Sequence, residues 1–184
     1  MEFGSRLERG LGAVLVFALT ALLVYFGNGL EPRWPLMWLA PLPVLVFALR
    51  SSARSAGFVA FAAWLVGCLN LWGYMHLLGL PFVAWAVTFG AIALVFAAGV
   101  LLTRALVQRG RVWSAWLALP AVWVTFEYAR NLLWPHGSGG CLAYSQLKFL
   151  PFLQLASVAG PWGMPRTRSR KEGIQETRPP MAKV

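Results

Sequence analysis

Charged side chains are scarce in this chain, and their scarcity already excludes most soluble folds. Asp, Glu, Lys and Arg make up 12% of the 184 residues, whereas hydrophobic residues make up 59%. From Ser55 to Thr103 the sequence contains no Asp, Glu, Lys or Arg. A soluble domain of this size needs a charged surface around its core, so we predict an all-α integral membrane protein in which charges mark the loops.

Cysteines and acidic residues are too few for several kinds of site. Cys68 lies in a predicted membrane helix and Cys141 in a predicted loop, so the two form neither a disulfide framework nor a metal site. The predicted spans contain one carboxylate, that of Glu127, and no lysine, which argues against ion-coupled transport. We therefore predict no metal and no cofactor.

The uncharged runs predict the number of membrane-spanning helices. A span needs roughly 20 apolar residues, and Gly79-Leu80-Pro81 divides the longest uncharged run in two. We predict about five spans in a compact bundle, at residues 11–30, 34–49, 57–78, 81–103 and 112–133. Residues 1–10 precede the bundle, residues 149–164 resemble a partial sixth span, and residues 165–184 form a basic tail that we expect to be disordered.

The net charge of +10 is explained by membrane topology and does not require nucleic acid as a partner. With a cytoplasmic N-terminus, seven basic residues fall in inner loops and three in outer loops, in agreement with the positive-inside rule. The inner residues are Arg6, Arg9, Arg50, Arg54, Arg104, Arg109 and Arg111, and the outer ones are Arg33, Arg130 and Lys148. The remaining basic residues follow Met164.

Tryptophans and small residues agree with a helical bundle in a membrane. Most of the ten tryptophans lie near predicted span ends, where their rings anchor helices at headgroup level, whereas Trp64, Trp85 and Trp123 are deeper and are predicted to pack between helices. Small residues recur at 60–63 and 97–99, which favours close approach of neighbouring helices.

Glu127 is the one acidic residue within the predicted spans. A carboxylate inside a membrane span needs a partner or water. Arg130 lies three residues later on the same helical face, so we predict an ion pair between them. At ~1.5 Å per residue, Glu127 lies about 21 Å from Trp113, near the outer side of the hydrocarbon layer. The pair has two possible functions, which are to stabilise the helix and its loop or to contact a substrate headgroup.

The loop after the fifth span ends in Tyr144, Ser145 and Gln146, whose hydroxyl and amide groups are suited to hydrogen bonding at the outer surface. These side chains either bind a lipid headgroup or an arriving protein N-terminus, or they close the loop onto the bundle. The preceding glycine-rich stretch, 137–140, lacks the lysine of a phosphate-binding loop and is predicted to be a plain turn, with His136 a solvated loop residue.

Three separated motifs in this region follow a fixed order. Pro120, Trp123, Glu127 and Arg130 occupy one helix, a glycine-rich loop then leads to Tyr144-Ser145-Gln146, and Gln154 precedes the motif Gly160-Pro161-Trp162-Gly163. Together with Trp38-Leu39-Ala40-Pro41-Leu42-Pro43 and with Gly57 and Gly67, this order resembles the membrane portion of bacterial apolipoprotein N-acyltransferase. The resemblance covers residues from about 10 to 164.

The resemblance implies an inner-membrane enzyme that transfers a fatty acyl chain from a phospholipid to the N-terminal amine of a diacylglyceryl lipoprotein. Its implied partners are therefore the phospholipid acyl donor and the lipidated apolipoprotein. In the family the acyl group is carried by a cysteine within a Glu, Lys and Cys set of a periplasmic nitrilase-like domain. Those residues are not matched here, and Cys141 fits no nucleophile motif. We expect no catalytic residue in this chain, and no activity from it alone.

Two alternatives are non-enzymatic: an accessory lipid-binding membrane bundle and a small transporter. The oligomeric state is left open by the sequence. The abrupt change of composition at Pro165 is interpreted as a frameshift or a gene fragment, with the chain truncated before the catalytic domain.

Overall fold

The computed structural model of the chain describes residues 2–133, 142–146 and 149. Every regular element in these residues is helical, so the predicted all-α fold is confirmed. The predicted partial sixth span at 149–164, apart from Phe149, and the predicted disordered tail at 165–184 lie outside the described residues, as do His136 and Cys141.

Seven α-helices and two short 3-10 helices make up the described part of the chain. The α-helices are α1 (Glu2–Gly27), α2 (Trp34–Leu39), α3 (Pro41–Arg50), α4 (Ala53–Gly67), α5 (Trp72–Leu77), α6 (Phe82–Gln108) and α7 (Val112–Leu133). The 3-10 helices are η1 (Cys68–Leu71), which joins α4 to α5, and η2 (Leu142–Gln146).

Three helical stretches are long and apolar enough to cross a membrane: Gly10–Gly27, Ala53–Leu77 and Phe82–Gln108. The apolar stretch Trp34–Arg50 is shorter. Helix α7 begins and ends where the fifth span was predicted. Because it contains polar residues, it is not among the three long apolar stretches. The apolar stretches support a membrane protein, and the number of five crossings stays a prediction.

Capping residues explain why two helices differ in length from the predicted spans. Helix α4 begins four residues before the predicted span because Ser52 is its N-cap, and the Ser52 hydroxyl accepts a hydrogen bond from the Ser55 amide at 3.2 Å. Helix α6 continues past the predicted end to Gln108 and stops before Gly110, whose φ of 73° suits a glycine at a helix C-terminus. Charged Arg104 therefore lies within a helix, not in a loop.

Two predicted spans are interrupted. The stretch 34–49 consists of α2 and α3, because Pro41 has no amide hydrogen to continue the backbone hydrogen bonds of α2. The stretch 57–78 contains η1, where Asn70 donates from Nδ2 to the carbonyl oxygens of Tyr25, at 2.7 Å, and of Asn28. These bonds satisfy carbonyls at the C-terminus of α1 and tie it to the end of α4.

The helices alternate in direction along the bundle. A Cβ atom added at Gly67 would lie 2.5 Å from Val24 Cβ, so the ends of α1 and α4 meet. Gly57 near the start of α4 faces Leu101 near the end of α6, and Gly99 faces Leu119 in the first half of α7. Helices α1, α4 and α7 therefore run one way, and α3 and α6 run the other.

Small and aromatic residues fill the interior of the bundle. Ala60, Ala63 and Ala97 are buried, which confirms that the small-residue stretches lie at helix contacts. Trp64 packs between the rings of Phe96 and Trp123, at centroid distances of 4.3 and 4.8 Å. Outside this core many large apolar side chains are exposed, as on α1, where Leu11, Val14 and Leu15 are each 61% exposed. Lipid covers such side chains in a membrane protein.

Candidate functional site

Glu127 lies in the last two turns of α7 and is only 8% exposed. Its Oε1 atom accepts hydrogen bonds from the indole Nε1 of Trp123, at 2.8 Å, and from the backbone amide of Leu142, at 2.6 Å. Trp123 lies four residues earlier on the same helix, and Leu142 begins η2. The carboxylate therefore ties the end of α7 to η2.

Gln146, at the other end of η2, forms the corresponding link to α2. Its Oε1 atom accepts from the indole Nε1 of Trp38 at 2.9 Å, and its Nε2 donates to the Ser145 hydroxyl at 2.9 Å. A longer contact, 3.4 Å, joins Nε2 to the backbone carbonyl of Trp34. Both polar groups of the amide are thus used within the protein.

Ser145 and Phe149 complete the attachment of η2. The Ser145 hydroxyl donates to the Leu142 carbonyl at 2.7 Å, within η2 itself. The Phe149 ring stacks on Trp34 with centroids 4.2 Å apart and planes inclined by 13°. We call this set the η2 clamp, and it consists of Trp34, Trp38, Trp123, Glu127, Leu142, Ser145, Gln146 and Phe149.

The described contact of Arg130 is with an aromatic ring, and its predicted ion pair with Glu127 stays a prediction. Its guanidinium carbon lies 5.9 Å from the centroid of the Phe126 ring, and its Nε atom is buried without a hydrogen-bond partner. Side chains on a helix lean toward the helix N-terminus, so each can reach residues three and four positions earlier. Glu127 accordingly contacts Trp123, and Arg130 contacts Phe126.

Of the residues that the sequence singles out, the structure brings three together: Glu127, Ser145 and Gln146. Tyr144 belongs to η2, but its side chain lies outside the described part. Sequence reasoning missed the roles of Trp38 and Trp123 as hydrogen-bond donors. The bond between Trp123 and Glu127 could have been predicted from the sequence. A tryptophan indole in apolar surroundings usually donates to an acceptor, and Glu127 lies one helical turn after Trp123.

The chemistry of the η2 clamp is that of a positioning device. The Ser145 hydroxyl donates its proton to a backbone carbonyl, an arrangement that fixes the side chain and does not activate its oxygen as a nucleophile. Two of the groups that donate to Glu127 are an indole and a backbone amide, neither of which ionises near neutral pH. Within the described residues no group of three or more His, Cys, Asp or Glu side chains could hold a metal ion.

Comparison with known proteins identifies the family. Residues 20–165 match the family described as "Apolipoprotein N-acyltransferase N-terminal domain", and this range contains the whole η2 clamp. A protein named apolipoprotein N-acyltransferase from Geobacter metallireducens is 30% identical over 138 residues, which are 71% of this chain and 26% of that protein. The chain thus spans about a quarter of the length of this relative. No solved structure matches the chain. The resemblance seen in the sequence is confirmed, and the chain belongs to the apolipoprotein N-acyltransferase N-terminal domain family.

Proposed function

We propose that this chain is the membrane portion of an apolipoprotein N-acyltransferase in the bacterial inner membrane, with its N-terminus in the cytoplasm. The reaction is the transfer of a fatty acyl chain from a phospholipid to the N-terminal amine of a diacylglyceryl lipoprotein. The observation that carries the proposal is the family match over residues 20–165. The name of the Geobacter metallireducens relative supports it.

The role of the helical bundle in this reaction is to hold both lipidated substrates at the outer membrane–water interface. The η2 clamp supports this role because it fixes a polar segment at the end of α7, where Glu127 lies about 21 Å along the helix from Trp113. We propose that none of its residues is catalytic. Glu127, Ser145 and Gln146 position η2, and the candidates left for a headgroup contact are Arg130 and Tyr144.

Arg130 has the chemistry for a phosphate contact. Its buried Nε atom has a donor hydrogen that no group in the described part of the chain accepts. A guanidinium binds phosphate oxygens through two parallel hydrogen bonds. The phosphate of the acyl donor is therefore the proposed partner of Arg130.

Photo-crosslinking in lipid nanodiscs tests the proposal. The purified 184-residue chain is incubated with a diacylglyceryl lipopeptide that has a photoreactive group near its N-terminus, and crosslinked peptides are mapped by mass spectrometry. We expect crosslinks near η2 and the end of α7, which an unlabelled diacylglyceryl lipopeptide displaces and an unlipidated peptide of the same sequence does not. Equal displacement by both peptides would contradict the proposal, because binding would then not depend on the lipid part of the substrate.

Two variants separate a headgroup contact from a structural role. Arg130→Gln is expected to lower crosslinking of a photoreactive phospholipid about tenfold or more, because a charge-assisted bidentate contact is lost. Arg33→Gln, which removes an exposed arginine at the same end of the bundle, serves as the matched control and is expected to have no effect. If the two variants behave alike, Arg130 has no specific phosphate contact.

The 184-residue chain is expected to form no N-acylated product when it is assayed with phospholipid and diacylglyceryl lipopeptide. The reason is that the polar side chains of the η2 clamp bond to one another, none of those described is an activated nucleophile, and the Glu, Lys and Cys set of the family is not matched in this sequence. Product formed by the purified chain would overturn the assignment of a purely positioning role to these residues.

A further inference from the structure

Five arginines lie in or beside two turns at the end of the bundle opposite the η2 clamp. Two turns meet there, one between α3 and α4 and the other between α6 and α7. Between Glu31 and Glu127 the sequence contains no acidic residue. The arginines in and beside these turns are Arg50, Arg54, Arg104, Arg109 and Arg111.

Arg104 joins the end of α6 to the α3–α4 turn, and each of its three guanidinium nitrogens donates a hydrogen bond. Its Nε donates to the Ala48 carbonyl at 2.8 Å, and one terminal nitrogen donates to the Ser51 carbonyl at 2.9 Å. The other terminal nitrogen donates to the Gln108 side chain at 2.8 Å. Its charge faces carbonyls at the C-terminus of α3, where a cation is favourable. Arg104 is therefore a structural residue that brings the end of α6 against the α3–α4 turn.

The other four arginines are exposed around this joint. In the described part of the chain no acidic side chain neutralises them. Helix α1 also begins at this end, and residues 2–9 contain two acidic and two basic residues, a net charge of zero. Within the described side chains, the four exposed arginines therefore give the two turns an excess of four positive charges, which a bound anion would neutralise.

Two exposed indoles place this charge at the membrane surface. Trp113 and Trp116 follow Arg111 in the first turns of α7 and are 89% and 79% exposed. Tryptophans with this exposure sit at the boundary between headgroups and acyl chains. The arginines next to them therefore lie at the depth of lipid phosphates.

We propose that the two turns form a binding site for anionic phospholipid headgroups. Guanidinium groups bind phosphate oxygens in a fixed fork geometry, and anionic lipids supply the charge that the protein does not. Each exposed arginine contributes about fivefold to the affinity for an anionic over a zwitterionic lipid. The site is separate from the η2 clamp, so it does not depend on the proposed acyl-transfer function.

Lipid titration of the purified chain in detergent tests the site. Native mass spectrometry measures the dissociation constants of phosphatidylglycerol and phosphatidylcholine with matched acyl chains. Because four exposed arginines contribute about fivefold each, we expect phosphatidylglycerol to bind on the order of several hundredfold more tightly. Its advantage should shrink in 0.5 M NaCl to about twofold, because salt screens exposed charges. Equal affinities for the two lipids at low salt would overturn the proposal.

Two double variants test where the site lies, and their binding of phosphatidylcholine tests whether they still fold. The double variant Arg109→Gln with Arg111→Gln, and separately Arg50→Gln with Arg54→Gln, should each weaken phosphatidylglycerol binding about 25-fold and leave phosphatidylcholine binding unchanged. Arg33→Gln, at the opposite end, is the control and should change neither. A loss of affinity for both lipids in the double variants, or an equal loss in the control, would contradict a site at these turns.

Discussion

Glu127 shows how one buried carboxylate can be accommodated near the end of a membrane helix. A carboxylate in these surroundings is costly unless donors surround it. Here an indole and a backbone amide donate to Oε1, and the bond from the amide joins two residues that are 15 positions apart, in α7 and η2. The stability that Glu127 provides therefore depends on its partners rather than on its charge alone.

Replacing Glu127 by leucine is expected to destabilise the fold. The substitution leaves the Trp123 indole and the Leu142 amide without this acceptor, at a cost of about 1–3 kcal/mol for each. Unfolding in mixed micelles with increasing dodecyl sulfate measures the change in the free energy of unfolding. Glu31→Leu is the control, because Glu31 is exposed, and it should change the free energy by less than about 0.5 kcal/mol. An equal effect of both variants would show that the hydrogen bonds of Glu127 contribute nothing.

Asn70 is a second polar residue whose contribution comes from long-range bonds. Its Nδ2 donates to two carbonyls at the end of α1, so Asn70→Ala should lower the free energy of unfolding by about 1–3 kcal/mol. The same micelle titration measures this. Asn131→Ala on α7 is the matched control, for which we expect little change. If Asn70→Ala unfolds at the same dodecyl sulfate fraction as the parent chain, the bonds do not stabilise the end of α1.

The candidate site could be predicted only in part from the sequence. Glu127, Ser145 and Gln146 stand out because they are polar residues next to apolar runs. The bond between Gln146 and Trp38 spans 108 residues, and no local pattern indicates such a pairing. The ion pair of Glu127 with Arg130 was predicted from spacing and stays a prediction, whereas the packing of Arg130 on the Phe126 ring was not foreseen.

At the level of elements, uncharged runs predicted the helices well and their interruptions poorly. Pro41 gave a visible signal for the break between α2 and α3. Residues 68–71 of η1 contain no glycine or proline, and Gly67 directly before them was not read as a break; Asn70 in η1 bonds to carbonyls at the end of α1. Local sequence thus indicates where a helix can form, whereas tertiary contacts decide where an apolar run changes to a 3-10 helix.

The contact between α1 and α4 depends on a glycine. An added Cβ at Gly67 would lie 2.5 Å from Val24 Cβ and 3.0 Å from the Ala21 carbonyl oxygen, so Gly67→Ala must push the helices apart. We expect a loss of about 1–3 kcal/mol in the free energy of unfolding. Gly90→Ala on α6 is the control, because nothing lies within 4 Å of the added atom there. Alanine is the better helix former, so the control should be neutral or stabilising. A neutral Gly67→Ala would show that the two helices can separate at no cost.

For the whole molecule, the distribution of charge assigns the two ends of the bundle to the two sides of the membrane. Arg50, Arg54, Arg104, Arg109 and Arg111 lie at one end, and the η2 clamp lies at the other. Because basic loops remain in the cytoplasm, the arginine end should face the cytoplasm and the η2 clamp the periplasm. This orientation places the clamp on the side where lipoproteins are N-acylated under the proposed function.

Cysteine labelling measures this orientation. In a background with Cys68→Ala and Cys141→Ser, a single cysteine is introduced at Ala53, the first residue of α4, or at Glu31, after α1. Both positions are exposed, so a maleimide that does not cross membranes can reach each of them from one side. In spheroplasts, Glu31→Cys should be labelled at once, and Ala53→Cys only after the membrane is permeabilised. Labelling in the opposite order would place the arginine end in the periplasm and would contradict both the positive-inside assignment and the proposed location of the η2 clamp.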